Sequence, residues 1–156
     1  KKIKGDIVVV SPDAGGVERA RELGKRINAT IAIIDKRREK ANESKVMHVI
    51  GDVKGRTAIL IDDMIDTGGT IVQAAQALVD NGAKVVYACC THAVLSGEAI
   101  QKINNSALKE MIATNTIPLS ESGRKSKKIK VLDVSPILGE AIKRIHSGAS
   151  VSSLFI

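Results

Sequence analysis

The chain has 156 residues, 44% of them hydrophobic, only two aromatics (Tyr87 and Phe155) and a formal charge of +7, which suits one domain with an aliphatic core and a taste for polyanionic ligands. The lack of clustered aromatics argues against a single-strand nucleic-acid binder, which stacks bases on such rings. No apolar run approaches the ~20 residues of a membrane span, no signal peptide is legible, and the adjacent Cys89 and Cys90 fit neither a disulfide framework nor a CxxC knuckle; a soluble cytoplasmic protein with reduced thiols and no membrane or nucleic-acid partner is expected.

In chain order, a basic lead over residues 1–4 precedes an apolar strand, Ile7 to Val10. It ends at Ser11-Pro12-Asp13, and Ala14-Gly15-Gly16 opens a helix with Val17, Ala20, Leu23, Gly24 and Ile27 on one side. Asp13 therefore stands at a strand's carboxyl end, where it is equally suited to cap the helix or to face a ligand. Thr30 to Ile34 is a further strand, and the polar run from Asp35 to Glu43 has no apolar face at either period, so it predicts a mobile cationic loop. Residues 46–50 form a short strand around His48, which is expected on the sheet rather than in catalysis.

The central stretch is AILIDDMIDTGGTIVQAAQALVDNGA, residues 58–83. Four apolar residues read as a doubly buried strand ending at Ile61, followed by Asp62 and Asp63, then Asp66-Thr67-Gly68-Gly69-Thr70. A helical run through Ile71, Ala74, Ala75, Leu78 and Val79 stops at Asn81-Gly82. Glycines let backbone N–H groups converge on an anion, the threonines add hydroxyl donors, and the helix start contributes its positive dipole end. Carboxylates are wrong for a phosphate but right for sugar hydroxyls or a divalent cation. The pattern points to a sugar phosphate, hydroxyls at one end and phosphate at the other.

Beyond it come a strand from Lys84 to Cys90 with His92 on the ligand rim, a short helix to Ile103, a strand at 111–113, a polar loop to Lys128 and a last strand from Ile129 to Val134. Ser135-Pro136 starts a helix whose Ile137, Leu138, Ala141, Ile142 and Ile145 predict a buried stripe. Strands alternating with helices predict an α/β fold: one domain over 1–156 with a doubly wound, mainly parallel sheet and helices on both faces.

DDMIDTGGT after an apolar strand resembles the phosphoribosyl-diphosphate (PRPP) loop of type I phosphoribosyltransferases and PRPP synthetases. With VVVSPDAGG at 8–16, DKRREKANE at 35–43 and SVSSLF at 150–155, the chain resembles the C-terminal half of the ribose-phosphate diphosphokinases. That resemblance implies ATP as co-substrate, ribose 5-phosphate held by Asp62, Asp63, Asp66, Thr67, Gly68, Gly69 and Thr70, and magnesium near Asp13. It also implies Lys36 and Arg38 as the catalytic pair, PRPP as product, a homo-oligomer, a hexamer in the family, and a regulatory phosphate or nucleotide site using Ser150 and Ser152. A plain edge strand is the other reading of that tail. Nothing in the chain resembles the family's N-terminal domain, so the isolated piece is expected to bind ribose 5-phosphate without full activity. A type I phosphoribosyltransferase and a non-catalytic relative of the synthetase are the competing functions.

Overall fold

The computed structural model describes residues 5–37 and 46–155. Seven strands form one sheet: β1 (Ile7–Ser11), β2 (Thr30–Arg37), β3 (Val46–Ile50), β4 (Thr57–Ile65), β5 (Val85–Ala93), β6 (Glu110–Thr114) and β7 (Ile129–Leu132). Their order is β3-β2-β1-β4-β5-β6-β7, all neighbours parallel except β2 and β3. Helices α1 (Val17–Ile27), α2 (Gly69–Asp80), α3 (Ala99–Asn104), α4 (Glu121–Lys125) and α5 (Ser135–His146) fill the connections and follow the last strand. The expected doubly wound, mainly parallel α/β fold is the one observed.

The sheet's burial follows its period of two. The core cluster with Ile71, Ala74, Ala75 and Leu78 of α2 takes Val8, Val10, Ala58 and Leu60. Val9 and Ile59 are buried outside that cluster, on the opposite face with Ala20 of α1. The continuous apolar runs of β1 and β4 thus reflect a sheet covered on both sides. Because β1 winds toward β2 and β4 toward β5, the direction of winding reverses between β1 and β4. In such sheets that reversal opens a crevice at the strands' carboxyl ends.

Several boundaries differ from the sequence reading. Asp35, Lys36 and Arg37 belong to β2 rather than to a loop, because they pair with His48, Met47 and Val46 of the antiparallel β3. Strand β4 runs past Ile61 to Ile65, and β5 past Cys90 to Ala93, since each gives the other ladder partners, Met64 with His92 and Ile65 with Ala93. The polar segment before Lys128 contains α4, started by the Ser120 hydroxyl, which accepts from the Gly123 N–H at 3.3 Å. The stripe on α5 is not buried: Ile137, Leu138, Ile142 and Ile145 are all more than half exposed, and α5 buries none of its residues. The 3.6-residue apolar period does run along α5, but a period cannot show whether anything lies against it. The tail is a 3-10 turn, Ser152–Phe155, rather than an edge strand.

Burial pushes the Cys89 thiol up to about 11 and the Cys90 thiol up to about 12. Below an ordinary thiol value of 9.0 both states of the chain keep these protons. Above it the unfolded chain loses them first, so the thiols should draw stability down as pH rises from about 9 toward 12. Urea midpoints measured through that window should fall less steeply for Cys90→Ala than for the natural chain. Equal slopes would mean that the thiols are not shielded.

Candidate sugar-phosphate site

The carboxyl end of β4 and the start of α2 enclose a pocket of about 190 Å³ lined by Asp13, Asp62, Met64, Ile65, Asp66, Thr67, Gly68, Gly69, Thr70 and Ile71. Seven of the residues singled out from the sequence therefore meet in one place. Gly68 has φ of +74° and a buried backbone, the left-handed conformation that favours glycine. That bend turns the chain from strand into α2, whose first turn has no side-chain cap. Its N–H groups thus need an outside acceptor, water or an anion. Thr67 and Thr70 are exposed beside them, and a Cβ added at Gly69 would meet nothing within 4 Å, so a ligand can approach the backbone there.

Asp62 lies half-buried on the pocket wall, whereas Asp63 is exposed and does not line it. Burial pushes the Asp62 carboxyl above the usual carboxylate range, against the pull of the Asp63 N–H and Arg19. Asp63 is held below that range by its hydrogen bond with Asp62, against burial and with help from Arg19. The Asp63 N–H also donates to Asp62 Oδ1 at 2.9 Å. Asp13 reaches the pocket while its Oδ1 accepts from the Gly16 N–H at 3.1 Å, so the capping role open in the sequence is present.

Three supports were not legible in the sequence. Arg19 of α1 binds Asp62 Oδ1 at 3.1 Å and Asp63 Oδ2 at 3.0 Å. The Ser96 hydroxyl donates to Asp66 Oδ1. Leu95, a buried non-glycine residue at φ of +51°, donates its N–H to the Ile65 carbonyl at 3.1 Å.

The other expected residues stand elsewhere. The Lys36 backbone lies in β2, and Arg38 falls outside the described residues. His92 bonds Thr116 Oγ1 through Nδ1 at 3.0 Å and does not line the pocket. Ser150 and Ser152 do not line the pocket; the Arg144 guanidinium holds the Ser150 carbonyl at 3.1 Å, and the Ser152 N–H donates to Ser150 Oγ at 3.2 Å. No cluster of three or more metal-ligating side chains occurs among the described residues. Nor is any described helix long and apolar enough to cross a membrane.

Residues 38–156 match the family model described as the phosphoribosyl synthetase-associated domain. The chain belongs to that phosphoribosyl synthetase family. A ribose-phosphate pyrophosphokinase of Clostridium tetani is 63% identical over 96% of the chain, and that of Bacillus subtilis is 60% identical over 96%. Among solved structures, the phosphoribosylpyrophosphate synthetase of Mycobacterium smegmatis superposes with a TM-score of 0.84 at 40% identity, covering 92% of the chain and 46% of that protein. The synthetase family read from DDMIDTGGT and its companion motifs is thus the family found. The chain spans about half the length of these relatives, 47% of the Clostridium tetani protein.

Proposed function

We propose that this chain is the ribose 5-phosphate-holding half of a ribose-phosphate diphosphokinase, which transfers the diphosphoryl group of ATP to the sugar's C1 hydroxyl. The observation that carries this reading is the single pocket joining an uncapped helix start, a left-handed Gly68 and the Asp62 carboxylate. Backbone N–H groups from Gly68 to Thr70, with the threonine hydroxyls, hold the 5-phosphate. Asp62, with Asp63 next to it, accepts from sugar hydroxyls, and Asp66, fixed by Ser96, shapes the turn between them.

In the reaction the C1 oxygen bonds to the β-phosphorus of ATP and the bond from that phosphorus to the α,β-bridging oxygen breaks. AMP leaves with the electron pair, and the hydroxyl proton passes to solvent. No protein nucleophile is required, because positioning and charge neutralisation carry phosphoryl transfer. Lys36 and Arg38 are the cations we assign to the transferring group; such a cation contributes on the order of 10³–10⁵ in rate. Magnesium keeps most of its waters and takes one or two carboxylates plus phosphate oxygens, so Asp13 on the phosphate pocket could hold it without a protein cage. When bound it would supply charge neutralisation to the phosphates. Ser150 and Ser152 are proposed as part of a regulatory anion site, supported by the Arg144 guanidinium beside the Ser150 carbonyl.

Calorimetric titration of the 156-residue chain with ribose 5-phosphate and magnesium should give saturable binding. Asp62→Asn should weaken it about tenfold, the cost of one hydrogen bond to a charged group. With ATP, ribose 5-phosphate and magnesium all present, the same chain should release no AMP above background, since it spans about half its relatives' length. Absence of sugar binding would overturn the site, and brisk AMP release would overturn the half-enzyme reading. Nucleobase exchange onto PRPP would instead support a phosphoribosyltransferase.

A further inference from the structure

The α1 cations behave differently from one another. Arg21 and Lys25 pair with Glu18 and Glu22 one turn away in water, and Arg26 reaches the Phe155 carbonyl. Arg19 instead crosses to β4 and divides its guanidinium between Asp62 and Asp63. Neighbouring residues of a strand normally direct their side chains to opposite faces, and two adjacent carboxylates repel. A planar fork with one nitrogen on each carboxylate overcomes both tendencies and fixes two side chains at once. Gly16 makes room for it: a Cβ there would stand 3.3 Å from Arg19 Nη1 and 2.7 Å from Ser11 Oγ. Gly16 therefore serves the arginine as well as the turn.

We propose that Arg19 is a positioning residue for the sugar hydroxyls, anchored by Asp63 just outside the pocket and gripping one oxygen of Asp62 so that the Asp62 carboxylate on the pocket wall is held as a fixed acceptor for the pentose. The inference rests on the ribose 5-phosphate reading of the pocket. It separates the sugar end of the site, which Arg19 organises, from the phosphate end, which Gly68 to Thr70 form without it.

The test uses the full-length protein and two probes, ribose 5-phosphate by calorimetry and inorganic phosphate by phosphorus NMR. Arg19→Met should weaken ribose 5-phosphate about tenfold or more while leaving inorganic phosphate within about twofold, and Arg19→Lys should recover part of the loss. Unchanged ribose 5-phosphate affinity in Arg19→Met, or equal loss for both probes, would overturn the proposal. If Arg19→Met does not fold, the same comparison is made with Arg19→Gln and Arg19→Lys. Asp62→Asn separates the two levels: sugar affinity indifferent to Asp62 defeats the reading of the pocket, whereas affinity lost with Asp62 but kept without Arg19 defeats only the role of Arg19.

Discussion

Valine in place of Gly68 will weaken ribose 5-phosphate binding by roughly 10–100-fold, the equivalent of the ~1–3 kcal/mol needed to hold a side chain in a sparsely populated backbone region. The native φ is +74°, and a Cβ there would lie 3.4 Å from Ala99 Cα and 3.5 Å from the Ala99 carbonyl oxygen. A β-branched residue can neither adopt that conformation cheaply nor push aside the backbone of α3. The bend would relax, and the amides it aims would turn with it. Gly69 is the control, for it opens α2 at ordinary φ with space around it. Gly69→Ala should leave the thermal midpoint unchanged or slightly higher, because alanine loses less entropy in a helix. Calorimetry on both variants decides the matter; a Gly68→Val chain binding within twofold of the natural one would show that the bend does not shape the phosphate site.

Leu78→Ala will cost about 2–5 kcal/mol of unfolding free energy, whereas Ile142→Ala will cost less than about 0.5 kcal/mol. Both are apolar residues on a helix, and the sequence gives them the same standing. Leu78 is fully buried between α2 and the sheet, so its loss leaves a cavity that close-packed neighbours cannot fill. Ile142 is 68% exposed, so little transfer energy is at stake. Urea midpoints at constant slope measure the difference. A large loss for Ile142→Ala in the monomeric chain would place the α5 stripe against the body of the domain.

The contrast shows what residue pattern can and cannot convey. Winding direction, the parallel sheet and the gathering of residues 66–70 at the end of β4 were legible because each depends on local chemistry: apolar runs for doubly covered strands, Gly-Gly for the bend, a helix start beside it. Strand ends were less legible because a ladder continues as long as a neighbour offers partners. Lys36 and Asp62 are polar, yet they sit in β2 and β4, held by Met47 and Cys90 across the ladder. Asp13 showed its chemistry but not its choice of work, and the structure gives it a cap bond without removing it from the pocket. Arg19 was hidden for a different reason. Its partners lie 43 and 44 residues away, and only the assembled sheet brings α1 over the end of β4.

The backbone tie from Leu95 to Ile65, with Ser96 on Asp66, has a practical meaning for engineering. Residues 65–70 and 94–98 form one cassette, and a graft that exchanges the first segment between family members while keeping the host's second will import a bend without its brace. Chimeras made with both pieces should retain sugar capture where single-segment swaps lose it. The unit of inheritance for this pocket is thus discontinuous in sequence, and alignment of the glycine motif by itself will understate what must travel together.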